Sequence, residues 1–206
     1  MVSTTYISID VATRSLAVGV YRMNSFKSID EYKDDNQITM NNNLDSIIEP
    51  LMMKVFDINE GEKTKDTLVT TKAESLKKVL TGIDEQIKDQ IDEKEVVVLI
   101  EYQMNANVGS NAIFNMIVYH YAGHYPIEVI PPTWKNTICL HPMLSHSKFL
   151  GACSSNYSAN KQHCKYNMIY LLTMIGRMDM ISGIKNKNLD DISDTLCQAL
   201  ARHKKQ

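Results

Sequence analysis

The stretch VVVLIE, residues 96–101, is an apolar run that ends in the carboxylate of Glu101. An unbroken apolar run of this length is typical of a central strand that is covered on both faces. Earlier in the chain, residues 6–9 form a short β-prone run that ends at Asp10, and residues 16–21 form a second. The polar turn between them predicts that these two runs pair as a hairpin.

The remaining segments alternate between strand and helix. One strand and one amphipathic helix precede the central strand, and a helix, a strand and two helices follow it. This order predicts an α/β protein with a mixed five-stranded sheet flanked by helices, in one domain over residues 1–206. Residues 133–160 show no clear periodicity and are expected to form a long loop or insertion. The other expected bounds are 47–56 (strand), 70–91 (helix), 109–124 (helix), 127–130 (strand), 161–177 (helix) and, for a last helix to about His203, a cap at Asn188 or Asp190.

The composition is that of a soluble globular protein. The 206 residues are 44% hydrophobic and 22% charged. The longest apolar run is far below the roughly 20 residues that a membrane-spanning helix needs. The four cysteines are scattered, and the N-terminal residues do not resemble a signal peptide. We therefore expect a reduced, intracellular protein without a membrane partner.

Charge is unevenly divided along the chain. Residues 1–134 carry 12 lysines and arginines against 20 aspartates and glutamates, a balance of −8, whereas residues 135–206 carry 10 against 4, a balance of +6. The basic part is suited to a polyanion, and a solvated basic surface is the alternative. Three of its four acids lie together at Asp190, Asp191 and Asp194. Carboxylates in basic surroundings favour a metal site that faces phosphate.

Four carboxylates are expected to meet at one edge of the sheet, where α/β folds place their sites. Asp10 and Glu101 each end a strand. Asp191 and Asp194 lie three residues apart near the start of the last helix, which puts them on one face. Such oxygen ligands suit Mg²⁺ or Mn²⁺, and two ions about 4 Å apart activate water and stabilise a leaving oxygen on phosphorus. Taken singly, each acid has an ordinary alternative as a turn or cap residue.

Three segments carry a family resemblance. Residues 7–10 (ISID), 99–103 (LIEYQ) and 188–194 (NLDDISD) resemble the three acidic motifs of the RuvC-like Holliday junction resolvases. The resemblance is closest to the poxvirus type, which occurs in several large DNA viruses. It implies an RNase H-like fold, homodimerisation and metal-dependent, symmetric nicking of four-way DNA junctions. It also implies a role in recombination or viral genome processing, in the cytoplasm or nucleus of a host cell if the protein is viral.

The resemblance also implies roles for individual residues. Asp10 matches the first-strand ligand that bridges two ions, and Glu101 matches the central-strand ligand. Asp194 matches the last-helix ligand, and Asp191 matches a residue that serves as a further ligand or as a base. Poxvirus-type members also carry a lysine at the start of the preceding helix.

Lys165 matches that lysine by its spacing to the apolar residues that follow, and Lys161 is the alternative. Two positions depart from the family pattern. Ala12 stands where members usually have glycine, which questions how closely a DNA backbone approaches this turn. Tyr102 and Met104 are the nearest candidates for the aromatic wedge that bacterial members carry after the glutamate.

Other functions use similar patterns. An RNase H that acts on RNA–DNA hybrids or flaps uses the same acids, so only substrate tests separate it from a resolvase. A sugar-kinase-like or actin-like ATPase also ends its first strand in Asp, but it needs a second glycine-rich turn that is absent here. A catalytically inactive scaffold has no reason to keep the acids. The cysteines and histidines between residues 139 and 164 lack the spacing of a zinc site.

The helix expected over 109–124 has two interpretations. Ile113, Met116, Ile117 and Tyr121 make it more apolar than one face of a sheet requires. They predict either an interface between two copies of the chain or a helix whose apolar residues all face its own core.

Overall fold

Five strands form one mixed sheet: β1 (Ser3–Val11), β2 (Ser15–Asn24), β3 (Ile48–Asp57), β4 (Val96–Glu101) and β5 (Ile127–Ile130). The strand order is β3-β2-β1-β4-β5. The first three strands pair antiparallel, and β4 runs parallel to both β1 and β5. This computed structural model describes residues 3–12, 14–24, 48–61, 69–92, 95–102 and 108–205. The expected five-stranded mixed sheet is confirmed.

The described residues form five α-helices: α1 (Val69–Ile87), α2 (Val108–Tyr121), α3 (His146–Ala152), α4 (Asn156–Met174) and α5 (Leu189–His203). Short 3-10 helices lie at Trp134–Thr137, Pro142–Leu144, Met178–Ile181 and Asn186–Asn188. In the described part of the chain, no helix combines the length and the apolarity that crossing a bilayer demands.

Side chains alternate between the two faces of the sheet, and each face has its own apolar core. Tyr6 and Leu99 belong to the core beneath α4 and α5. Ile7 and Ile100 belong to the core beneath α1 and α2. The central strands are therefore buried on both sides, as the unbroken apolar run of β4 predicts.

The segment 133–160 differs from the expected long loop. It contains two 3-10 helices, α3 and the first residues of α4. Ile138 and Leu140 are buried in the core beneath α4 and α5. Sequence periodicity misses these elements because they are short, and because the first turns of α4 are polar and carry no apolar stripe. The Ser155 side chain caps α4 by accepting a hydrogen bond from the Ser158 backbone N–H at 3.2 Å.

Helix α2 packs on its own core. Ile113, Ile117 and Tyr121 are buried beneath it, and Met116 packs against the same cluster. Of the two interpretations of this apolar helix, the structure supports the internal one for these residues.

One prediction concerns the close approach of Gly19 to Tyr21 on β2. A Cβ at Gly19 would lie 2.1 Å from the hydroxyl oxygen of Tyr21. The tyrosine ring is fully buried, and its hydroxyl is hydrogen-bonded to Thr195 at 2.9 Å, so it has no room to move. We expect Gly19→Ala to lower the free energy of unfolding by about 1–3 kcal/mol in chemical denaturation. Gly82→Ala in α1 is the control, because an added Cβ meets nothing within 4 Å there and alanine favours a helix. Equal stability of the two variants would contradict this packing.

Candidate active site

Two carboxylates lie at neighbouring strand ends. The register of β1 and β4 pairs Ile9 with Ile100, and Asp10 and Glu101 are the next residues on these strands. Adjacent strands lie about 4.8 Å apart. Because successive side chains of a strand point to opposite faces of the sheet, both carboxylates point to the face that α5 covers. The two central strands therefore place two acids next to that helix.

Helix α5 supplies the other two acids. Asp194 is almost fully buried, and Asp191 lies one turn earlier and is partly exposed. The Lys161 ammonium on α4 donates to both, at 3.2 Å to Asp191 Oδ1 and 3.1 Å to Asp194 Oδ2. Asp190 lines a shallow pocket against the N-terminal half of α4, and within the described residues no hydrogen bond or ion pair joins its side chain to Lys161. The shared lysine therefore distinguishes Asp191 from Asp190, which helix geometry alone does not.

A second lysine lies inside the cluster. Lys135 is buried, and its ammonium donates to Glu101 Oε2 at 2.8 Å and to Asp194 Oδ2 at 2.6 Å. It therefore joins a strand acid to a helix acid, while Lys161 joins the two helix acids. The two ammonium groups thus link Glu101, Asp191 and Asp194.

Hydrogen bonds behind the acids fix their positions. Gln198 on α5 donates to Glu101 Oε2 at 2.6 Å and accepts from the Ser8 hydroxyl at 2.9 Å. Both Ser8 and Gln198 are fully buried. A buried polar pair that is fully hydrogen-bonded sets a unique geometry, so the Glu101 side chain is held in one orientation.

The charges shift the protonation equilibria of the cluster. Burial raises the pKa of Asp10 to about 8, with repulsion from Asp194 and Glu101 adding to the shift and the two lysines opposing it. Burial by itself would lower the pKa of Lys135, but attraction to Asp194, Glu101 and Asp10 outweighs it and raises that pKa. The pKa of Lys161 is raised in the same way. Both lysines therefore stay charged, and Asp10 holds a proton more readily than an exposed aspartate does.

The two candidate lysines are separated by the structure. Lys161 contacts the acids, whereas no hydrogen bond or ion pair joins Lys165 to them within the described residues. Lys165 lies one turn further along α4, on the same row of the helix, which is why sequence spacing does not choose between them.

Lys135 is a site residue that sequence reasoning missed. It lies in a 3-10 helix without periodicity, five residues after β5 ends at Ile130. A usable signal exists, because β5 runs parallel to β4 and pairs Glu101 with Ile130. The residues that follow β5 thus emerge at the edge that holds the acids, and a lysine there is a natural counter-charge.

The positions that depart from the resolvase sequence pattern follow the strand ends that carry Asp10 and Glu101. Ala12 and Tyr102 are exposed, and Met104 lies outside the described residues. Trp134 packs against the core beneath α4 and α5, with the Lys205 ammonium 3.4 Å from its ring centroid. It therefore serves packing here.

Among known proteins, the similarity of this chain is to solved structures and not to sequences. The sequence matches no protein-family model and no curated protein. The crystal structure of the fowlpox virus Holliday junction resolvase resembles this chain with a TM-score of 0.57 at 14% identity, over 98% of this chain and 100% of that one. The fowlpox resolvase in complex with its Holliday junction DNA gives 0.55 at 16% identity, over 98% of each chain.

The RuvC structure from Thermus thermophilus has a TM-score of 0.50 at 11% identity, over 97% of this chain and 95% of that one. The chain shares the fold of these three structures. The expectation of an RNase H-like architecture is confirmed by this likeness across nearly the whole length. The resolvase fold also accounts for the order of the acidic segments, since each ends or begins an element that reaches the same edge of the sheet.

This fold brings together carboxylate donors that suit a divalent cation, with lysines between them. Among the described residues, no three His, Cys, Asp or Glu side chains converge as metal ligands do. The ammonium of Lys135 lies between Glu101 and Asp194, where a cation would bind. The donor set itself fits, since four carboxylates exceed two ammonium groups by two negative charges when all are ionised. In addition, the buried Asp194 Oδ1 has no hydrogen-bond partner in the described part of the chain.

The raised pKa of Asp10 predicts a pH-dependent stability. A folded-state pKa above the ordinary 3.8 means that the native protein binds more protons than the unfolded chain between pH 3.8 and about 8, so stability falls as pH rises through this range. In EDTA, Asp10→Asn should therefore melt above the parent at pH 8, and the two should converge below pH 4. Melting curves across this range check it. Asp89→Asn, at an exposed position, is the matched control, and a gain that does not depend on pH would contradict the assignment.

The bridging role of Lys135 predicts a metal-dependent rescue. Lys135→Met leaves Glu101 and Asp194 without their shared cation, and breaking a buried ion pair costs about 3–5 kcal/mol. We expect a large fall in melting temperature in EDTA and a larger recovery with Mg²⁺ or Mn²⁺ than the parent shows, because a cation then neutralises the acids. Lys148→Met on exposed α3 is the control. An equal response of both variants to the metal would exclude a cation site at these acids.

Proposed function

We propose that this protein is a metal-dependent endonuclease that resolves four-way DNA junctions by paired, symmetric nicks inside the cell. The observation that carries the proposal is the cluster of four acids and two lysines at one edge of the resolvase fold. The acids Asp10, Glu101, Asp191 and Asp194 supply hard oxygen donors, and their surroundings are basic. This is the chemistry that hydrolysis of a phosphodiester needs.

The chain divides the work among its side chains. Asp10, Glu101, Asp191 and Asp194 would hold two Mg²⁺ or Mn²⁺ ions. When bound, these ions supply an activated water and stabilise the leaving oxygen, which leaves a 5′-phosphate and a 3′-hydroxyl. Lys161, the more exposed ammonium, stabilises the charge that develops on the cleaved phosphate. Lys135, the buried one, holds Glu101 and Asp194 in register, the two acids that would also be ligands of a bound cation.

Paired nicks require two sites. A four-way junction presents two equivalent strands, and a twofold dimer matches them with one site per chain. We therefore propose a homodimer, with light scattering near twice 23.4 kDa at micromolar concentration. Because Ile113, Ile117 and Tyr121 are buried in their own core, they do not form its interface. A strict monomer that still makes paired nicks would contradict the dimer.

Substrate choice is the decisive experiment. Synthetic four-way junctions, linear duplex, flaps and RNA–DNA hybrids should be incubated with the protein in Mg²⁺, in Mn²⁺ and in EDTA. We expect symmetric cleavage of the junction in either metal and none in EDTA. Preferred cleavage of hybrid or flap would favour the RNase H alternative, which uses the same acids, and full activity in EDTA would exclude metal catalysis.

A substitution of one acid should abolish cleavage of the junction without abolishing its binding. Asp10→Asn should abolish cleavage yet keep junction binding, because contacts to other phosphates supply most of the affinity. A gel-shift assay beside the cleavage assay checks this. Loss of binding together with loss of the folded circular-dichroism spectrum would mark Asp10 as structural instead.

The shared contact with Lys161 gives a prediction for α5. Asp191→Asn and Asp194→Asn should each lower cleavage by orders of magnitude. Asp191→Asn should cost little thermal stability, because the partly exposed site also loses repulsion between acids, whereas Asp194→Asn should lower it, because both ammonium groups donate to this buried carboxylate. Asp190→Asn should keep most of the cleavage activity. Cleavage rates on one junction compare the three variants. An inactive Asp190→Asn with an active Asp191→Asn would mean that the assignment is wrong by one residue.

A further inference from the structure

Two tyrosines are exposed on α4 beside the acids. The exposed fraction of Tyr157 is 73% and that of Tyr166 is 48%. Tyr157, Lys161 and Lys165 follow one another at intervals of four residues, so they form one row on the helix surface. Tyr166 lies in the adjoining row. The face of α4 that leads to the acids therefore combines aromatic rings with ammonium groups.

These side chains surround a shallow pocket of about 310 Å³. Lys161 forms part of its wall, and the same ammonium donates to Asp191 and Asp194. The pocket and the acid cluster thus share one side chain. A volume of this size lies at the lower end of the range for small-ligand sites, which suits a single nucleotide.

One ring of the pocket is held in place before any ligand binds. Phe149 on α3 stacks on Tyr166, with ring centroids 5.7 Å apart and planes inclined by 21°. One face of the Tyr166 ring is therefore covered, while nearly half of the side chain stays exposed. A ring that is already ordered loses less conformational entropy when a second ring stacks on it.

We propose that this pocket holds one unpaired nucleotide of the DNA substrate next to the cleaved phosphate. The inference rests on the proposed function, since it uses DNA as the ligand. Exposed tyrosines bind bases by stacking, whatever the base, because every base has an aromatic face. A base within a duplex hides its faces against its neighbours, so only an unpaired base offers them.

The charges orient this nucleotide. Lys165 and Lys161 attract its phosphates, as lysines do along single-strand grooves. Asp190, which also lines the pocket, repels phosphate and favours the N–H donors of a base edge at its end. The pocket therefore gives Lys165 a role in holding the strand rather than in the contacts among the acids.

Fluorescence of a base analogue tests the pocket without cleavage. The probe is a single-stranded DNA of about ten nucleotides that carries one 2-aminopurine, titrated with protein in EDTA. We expect stacking to quench the fluorescence on binding. Tyr157→Ala and Tyr166→Ala should each reduce the quench, and together they should weaken binding about tenfold, or 1.4 kcal/mol. Tyr157→Phe and Tyr166→Phe, which keep the ring, should behave as the parent does.

The outcomes separate this proposal from the proposed function. If the parent cleaves junctions and both alanine variants quench and bind like the parent, the pocket is wrong and the nuclease stands. If the parent cleaves no junction but the quench depends on the two rings, the pocket binds an unpaired nucleotide, while the nuclease and the placement beside a cleaved phosphate are wrong. The exposure of Tyr157 makes misfolding of its variant a minor concern, and melting curves verify that it folds.

Discussion

The ammonium of Lys135 between Glu101 and Asp194 is the interaction on which the site depends. Four carboxylates at one sheet edge repel each other, and the low polarity of the interior strengthens that repulsion. Lys135 and Lys161 offset part of that repulsion and make the cluster compatible with a folded chain. A buried ion pair of this kind is weak as a source of stability. Its role here is to keep Glu101 and Asp194 close together.

The geometry of the sheet explains why the acids meet at all. The parallel pairing of β1 with β4 brings two strand ends to the same edge. The alternation of side chains then turns both Asp10 and Glu101 toward α5. Helix α5 lies against these strands with every residue from Ile192 to Ala201 buried, so Asp194 reaches the two strand acids from the helix side. Parallel pairing, side-chain alternation and helix packing are each common in proteins, and the site forms where all three act on the same acids.

Much of this was predictable from the sequence, for identifiable reasons. The apolar run of β4 and the acids at Asp10 and Glu101 are local signals, and strand pairing converts them into proximity. The choice between Asp190 and Asp191 is not local, because both flank the buried stripe of α5 at similar angles, and a contact from α4 decides it. The sequence also does not separate Lys161 from Lys165, because both lie on one row of α4 and only contacts with α5 distinguish them. Lys135 gave no periodic signal, and its role becomes visible only through the parallel register of β5.

The hydrogen bonds behind the acids attach α5 to the sheet at three points. Gln198 contacts Ser8 on β1 and Glu101 on β4, and Thr195 contacts Tyr21 on β2. Helix α5 is thus hydrogen-bonded to three separate strands. Neither a rotation of the helix about its axis nor a shift along it would preserve all three contacts. A change at one of these positions leaves a buried polar atom without a partner unless the opposite position changes with it. The five residues should therefore vary as a linked unit, with strong pairwise coupling, while the apolar residues around them drift independently.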